Sequence, residues 1–346
     1  LRSKYEGTSL ALDSQYKSNP DTDTTQLGIY VQDEISFDKW DFILGMRYDH
    51  NKMDAKSDSF WLASDESGAN SSVLGEPHDF DDGHLAPSVK AIYKINDNTN
   101  VYGKYDRGFR APSWDEFNSS RIGIFPIAFH PTFGFPTDYS GYATIGNPDL
   151  KAETSDSFEI GLRGNFSIFN LELVGFDMQK ENYFFRDSQG FNVENGKTTH
   201  RGFEVSFLIE FNQFFQIENS TSFAEHEYDF DHSPNGIKSG NQIDSAPELL
   251  ANTRLIFTPK ERTRIELEWE KIDSYPVDER NAHFYEGHDV FNLRTKMPIN
   301  ENISIGIYIN NITDKSYANR ADFAFGSYRY FVGQKREFYL MLESKF

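Results

Sequence analysis

Polar and apolar residues alternate along much of this chain with the two-residue period of a strand that has one greasy face and one wet face. In 203–211, Phe203, Val205, Phe207, Ile209 and Phe211 alternate with Glu204, Ser206, Leu208 and Glu210. In 264–270, Ile265, Leu267 and Trp269 interleave with Arg264, Glu266, Glu268 and Glu270. Ile303, Ile305, Ile307 and Ile309 alternate with Ser304, Gly306, Tyr308 and Asn310, and Val89, Ala91, Tyr93 and Ile95 with Ser88, Lys90 and Lys94. At the end of the chain Phe338, Leu340, Leu342 and Phe346 share a face opposite Glu337, Tyr339, Met341, Glu343 and Lys345. These segments fit the length of about 9 to 11 residues that a tilted strand needs to cross hydrocarbon. Chain ends usually fray, so a greasy strand face that runs to the last residue predicts a chain sealed into a sheet in lipid.

The connections set the topology. Short ones at 38–39, 96–100, 165–170, 212–213, 259–262 and 300–302 alternate without exception with long ones at about 55–83, 114–152, 184–198, 229–244, 273–287 and 315–329. The long ones exceed the handful of residues of an ordinary hairpin. A meander with tight turns at one end and long loops at the other is the outer-membrane pattern, with the long loops outside. The fold expected is an all-β, transmembrane, antiparallel up-and-down β-barrel. It has about thirteen strands plus a partial one near Lys4–Leu12, more than a small soluble sandwich holds.

Composition refines this picture. Hydrophobic residues make up 38% of the 346 residues and the mean hydropathy is −0.63, yet alternating strands also average to a polar composition. No stretch approaches the roughly 20 apolar residues of a membrane helix. With 34 Lys+Arg against 54 Asp+Glu the net charge is −20, which repels phosphate backbones and argues against nucleic acid as a partner. The absence of cysteine excludes disulfides and thiolate metal sites. No Gly-x-Ser-x-Gly elbow and no His-Glu-x-x-His site is present, so an enzyme is not expected.

Two sequences bracket the longest loop. Asn100-Val-Tyr-Gly-Lys-Tyr-Asp-Arg-Gly-Phe-Arg-Ala-Pro-Ser113 leads into it and Gly146-Asn-Pro-Asp-Leu-Lys-Ala-Glu-Thr-Ser155 leads out. Phe109-Arg110-Ala111-Pro112 and Asn147-Pro148-Asp149-Leu150 resemble the two boxes of TonB-dependent outer-membrane receptors, most closely the branch that takes up haem or haemoglobin. Leu27-Gly-Ile-Tyr-Val-Gln-Asp33, Gly45-Met-Arg-Tyr-Asp49, Asn310-Asn-Ile-Thr-Asp-Lys-Ser-Tyr317 and the terminal Phe346 add to the resemblance in the family's order. Pro112, Asn147 and Pro148 suit the rim where a strand leaves the sheet, so the boxes read as scaffold, with Arg110 the member best placed to reach a ligand.

Ferric haem needs an axial imidazole or phenolate, an apolar slot and cations near its propionates. The loop between the boxes offers His130 and Tyr142 for the iron, Phe125, Phe129, Phe133 and Phe135 for the slot, and Arg121 for a propionate. The resemblance implies that either His130 or Tyr142 is the axial ligand. It further implies a monomer in the outer membrane of a Gram-negative bacterium, with the bilayer, TonB and haem or haemoglobin as partners and haem as transported ligand. A ferric-siderophore receptor, or a passive porin made cation-selective by Glu204, Glu210, Glu266, Glu268 and Glu270, are the alternatives. The remaining histidines, in acidic stretches such as 78–84, 226–232 and 283–289, read as solvated loops. His200, ahead of the strand at 203, is expected to point into the lumen.

Complete members of that family carry an N-terminal plug and a barrel of about 22 strands. The expectation is therefore the C-terminal part of a barrel, about 13 to 14 strands, with a plug and first strands preceding Leu1 and an authentic end at Phe346.

Overall fold

The computed structural model describes residues 2–3, 7–9, 14–16, 20–56, 78–118, 120–129, 136–145, 150–186, 192–233, 236–260, 262–324 and 326–345. Fourteen strands form one antiparallel sheet. In chain order they are β1 (Arg2–Ser3), β2 (Asp21–Phe37), β3 (Trp40–Lys56), β4 (Phe80–Asn96), β5 (Thr99–Arg110), β6 (Glu153–Phe166) and β7 (Phe169–Arg186). They continue as β8 (Asn192–Glu210), β9 (Phe215–Tyr228), β10 (Leu249–Phe257), β11 (Arg264–Ile272), β12 (His288–Pro298), β13 (Ile303–Asn310) and β14 (Glu337–Ser344). Each pairs with the next, which is the expected up-and-down meander. The partial strand is β1, laid on Thr22 and Asp23. The segment expected near Lys4–Leu12 contributes Gly7–Ser9 to a small hairpin with Ser14–Tyr16. Among the described residues no ladder joins β14 to β1 or β2.

The tight connections all lie at one end. Asp38-Lys39 alone joins β2 to β3, and Asp38 takes φ 51°, the left-handed conformation that a two-residue hairpin turn demands. Three other turns are built by asparagine. The side chain of Asn96 accepts from the amide of Asn98, that of Asn212 from Phe214 and Phe215, and that of Asn300 from Asn302 and Ile303, at 2.8–3.1 Å. These side-chain bonds replace a ladder bond where the chain reverses.

Most of the long connections lie at the opposite end, with one correction. The stretch 184–198 is not a long loop: β7 continues to Arg186 and β8 starts at Asn192, paired as Tyr183 with Gly196 and Phe185 with Val193. It shows no one-sided apolar period because each face of this part of the ladder meets loop residues, Phe184 in the cluster around Phe117 and Phe185 against Tyr228. Strands β2, β3 and β4 run 17 residues each and β7 and β8 run 18 and 19, well beyond a span of the hydrocarbon.

Register carries one apolar face from strand to strand. Phe37 faces Trp40 and Trp40 faces Tyr93; Leu173 faces Val205; Leu255 faces Leu267, which faces Leu293; Ile307 faces Leu340. Much of this face is bare: Phe37, Leu340 and Val31 are 74%, 74% and 66% exposed. Aromatic contacts gather near the tight-turn end, with Trp40 on Tyr93 at 4.9 Å and Phe215 on Phe257 at 4.5 Å, as in the girdle of an outer-membrane barrel. The other face is polar and concave, holding a cavity of about 660 Å³ bordered by Arg163, Glu172, Ser206, Glu218, Asn252 and Arg254.

The hydrophobic clusters of buried residues gather where strand ends meet the loops. They lie in the long-loop end, as three clusters around Met53, Phe80 and Phe117, around Tyr228 and Ile237, and around Tyr275, Val277 and Ala321.

Candidate ligand-binding site at the long-loop end

The first box ends β5 and starts the loop. Pro112 breaks the ladder, and Ser113-Trp-Asp-Glu116 then opens a one-turn helix, Trp114–Asn118, with a reciprocal capping box. The Glu116 carboxylate accepts from the Ser113 amide at 2.8 Å, and the Ser113 hydroxyl accepts from the Glu116 amide at 3.3 Å. Arg110 donates to the same Glu116, at 2.8 and 3.0 Å, and to Glu153 on β6 at 2.7 Å. Its guanidinium is thus committed to locking the two sides of the loop root together. Ala111 and Trp114 pack on the cluster that contains Phe117 and Leu150, so the first box and the end of the second meet in one core. Among the described residues, the first box and Leu150 thus root the loop.

The expected long loop at 114–152 holds its own hairpin, Ser120–Phe129 with Pro136–Ile145. Arg121 pairs with Thr144, Gly123 with Tyr142, and Phe129 with Pro136. Phe125 pairs with Ser140. His130, Phe133, Phe135, Asn147, Pro148, Asp149 and Phe346 lie outside the described residues.

A platform that no local pattern announces is built from the next three long loops. Asn241 donates to the Glu279 carbonyl at 3.1 Å, and the Gln242 amide and Asn281 exchange bonds of 2.8 and 2.7 Å. The Tyr275 and Tyr285 hydroxyls accept from the amides of Ala321 and Ala318 at 2.9 and 3.0 Å. Asp278 and Glu279, acids just ahead of the stretch 283–289, are 3% and 1% exposed. His283 gives its Nδ1 proton to Asp278, stacks on Phe323 at 3.7 Å, and meets the edge of Tyr328 at 5.5 Å. In that tautomer Nε2 carries the lone pair, and the carboxylate behind the ring fixes its orientation. Apart from the His283–Asp278 pair, the contacts that build this group cross more than thirty residues, so no local motif pointed to it.

Burial pushes the Asp244 carboxyl above the ordinary carboxylate value, against the bond it receives from the Tyr228 hydroxyl at 2.8 Å. A raised native value means that the folded loop holds its proton more tightly than the unfolded one. The stability it lends is present below the ordinary value, 3.8, and is lost as pH rises through the raised one. Hydrogen exchange in peptides covering 228–244, corrected for intrinsic rate, is expected to lose up to about tenfold in protection per pH unit in that window. Asp244→Asn should flatten the dependence, and an equally steep profile in that variant would sink the assignment.

Along the polar face charges are mostly paired. Arg294 lies 2.7 Å from Glu268 and 3.0 Å from Glu266, Arg264 lies 2.8 Å from Glu266, and Arg254 lies 2.9 Å from Glu218. Of the glutamates that would give a porin its cation selectivity, Glu266 and Glu268 are thus paired with arginines. Among the described residues no three His, Cys, Asp or Glu side chains converge on a metal position.

The chain matches, over residues 2–312, the family described as TonB dependent receptor-like, beta-barrel. The probable TonB-dependent siderophore receptor PiuA of Acinetobacter baumannii is 21% identical over 322 residues, 88% of this chain and 39% of that protein. Hemoglobin-haptoglobin utilization protein B of Neisseria meningitidis serogroup C is 26% identical over 190 residues, 54% of this chain and 20% of that one. The crystal structure of the siderophore receptor PiuA from Acinetobacter baumannii shares the fold, with a TM-score of 0.68 at 16% identity over 96% of this chain and 44% of that one. The chain thus spans less than half the length of these relatives. Its sheet, lipid-facing on one side and polar on the other, and the match over residues 2–312 place it together: this chain belongs to the TonB-dependent receptor β-barrel family, receptors of the Gram-negative outer membrane.

Proposed function

We propose that this chain is the barrel wall of a receptor that takes up an iron chelate across the outer membrane in partnership with TonB, and that the chelate is haem, free or drawn from haemoglobin. The observation that carries the haem reading is His283, an imidazole backed by Asp278 and set against Phe323 and Tyr328 at the long-loop end. A carboxylate-backed imidazole among aromatic rings supplies both an axial donor and an apolar wall for a porphyrin. His130 and Tyr142, with Phe129, Phe133 and Arg121, are the candidates from the neighbouring loop. The alignment to a haemoglobin–haptoglobin utilization protein supports the same cargo.

Titration of the intact receptor with haem tests the ligands. His283→Ala, His130→Ala and Tyr142→Phe are made singly and together. Loss of the shifted Soret band and at least about tenfold weaker binding are expected in the variant that removes the axial donor. An unchanged band and affinity in the triple variant would exclude all three.

The alignment to a probable siderophore receptor over 88% of this chain favours a second reading in which the cargo is a ferric siderophore. Such a chelate already saturates its iron and needs only aromatic and cationic contacts. Growth of an iron-starved host on haem or on ferric siderophore as sole iron source separates the two.

A further inference from the structure

The polar face carries a second constellation that the uptake reading does not use. Met178 on β7, His200 on β8 and His226 on β9 stand directly opposite one another in consecutive ladders. Alternation places all three on the inner face, in the same set as Glu172, Ser206 and Ser220, which border the inner cavity. Facing residues bring their Cβ atoms to about 4.5–5.5 Å, so a thioether and two imidazoles occupy one row across three strands.

The two rings have already converged. Nδ1 of His200 lies 2.8 Å from Nδ1 of His226, and the Thr198 hydroxyl lies 2.9 Å from Nε2 of His200. At that separation one Nδ1 donates its proton and the other offers its lone pair, so a lone pair is aimed at a shared position. In the row below, Phe176 on β7 faces Gly202 on β8, which faces Ala224 on β9, so the two positions next to the imidazoles carry the smallest side chains.

We propose that Met178, His200 and His226 form a binding site for a cuprous ion. The donor set is one soft thioether and two neutral imidazoles, with no carboxylate or thiolate to offset a second positive charge. Lys180, one pair further out opposite Thr198, adds positive charge that works against divalent ions. A soft monovalent ion is what remains. On binding, the donating ring moves its proton through solvent from Nδ1 to Nε2, and both rings then ligate through Nδ1. No proton or electron is gained or lost overall. Thr198 suits this state because its hydroxyl accepts from Nε2–H of His200 as readily as it donates to a bare nitrogen.

The test is an anaerobic titration of the intact, detergent-purified protein with Cu(I) against a chromophoric Cu(I) chelator. One ion per chain is expected, with nitrogen and sulfur neighbours in the X-ray absorption spectrum and no displacement by Zn²⁺. Changes in the outer shell of a metal site cost about 10–100-fold, so His200→Ala and His226→Ala should each weaken binding at least about a hundredfold. Met178→Leu, which keeps the packing, should lose the sulfur signal and weaken binding at least about tenfold. Heat-dependent electrophoretic mobility shows which variants are folded barrels, and only those are scored. Failure of the wild type to hold Cu(I) against the chelator overturns the site. So does unchanged affinity in the folded histidine variants, displacement by Zn²⁺, or a sulfur signal that persists in Met178→Leu.

Discussion

Arg294→Ala is expected to destabilise the folded barrel by about 3 kcal/mol, the lower end of the range for breaking a buried ion pair, since the arginine itself is partly exposed. Glu266, Glu268 and Glu270 sit at alternate positions on the inner face of β11, so three carboxylates share one row. Glu266 and Glu268 are each only 7% exposed. Arg294 reaches both, at 3.0 and 2.7 Å. Without it Glu266 keeps Arg264, but Glu268 is left with partners that carry no positive charge, among them the amides of Asn252 and Asn292, each at 3.0 Å. Neutral donors do not replace a cation for a nearly buried charge flanked by two like charges. Glu268→Gln in the Arg294→Ala background should therefore recover most of the loss, because it removes the stranded charge and keeps the amide contacts. Urea unfolding of the lipid-reconstituted protein, followed by the fluorescence of Trp269 on the same strand, measures both. A loss below about 0.5 kcal/mol, the scale of an ordinary surface change, would mean that the row is not the closed network described here.

Residues differ in how far they announce such arrangements. The lipid-facing alternation of 203–211 and 303–310 was legible because one face of each strand obeys a single solvent. Asn96, Asn212 and Asn300 were legible as turns because the side chain bonds its own backbone within three residues. The ladder at 184–198 was not, since each face there meets loop residues and no one-sided period survives. Asp278, Glu279 and His283 look like any acidic loop, and their burial depends on Asn241, Tyr275 and Phe323, brought there by the meander. Arg110 shows the intermediate case. Its box marked the root of a long loop, but its commitment to Glu116 and Glu153 follows from a capping box and a strand pairing that only the fold joins.

The assignment of the two faces makes the second strong prediction, on neighbouring residues of β8. Val205 faces Leu173 and Thr221 on the apolar side, near the middle of the run from Phe203 to Ile209. Ser206 faces Glu172 and Ser220 on the polar side. Val205→Arg is expected to cost about 2–4 kcal/mol in a bilayer, the penalty for a cation at the midplane of an outer-membrane strand. Ser206→Arg should change stability by no more than about 0.5 kcal/mol, because the new guanidinium meets water and the Glu172 carboxylate. Backbone, strand and residue type are held constant, so the difference reads only which face meets lipid. Urea titration of each variant folded into vesicles gives both numbers. Equal costs at the two positions would remove the bilayer from the account of this sheet, and with it the reason why a chain of mean hydropathy −0.63 leaves Leu340 and Phe37 bare.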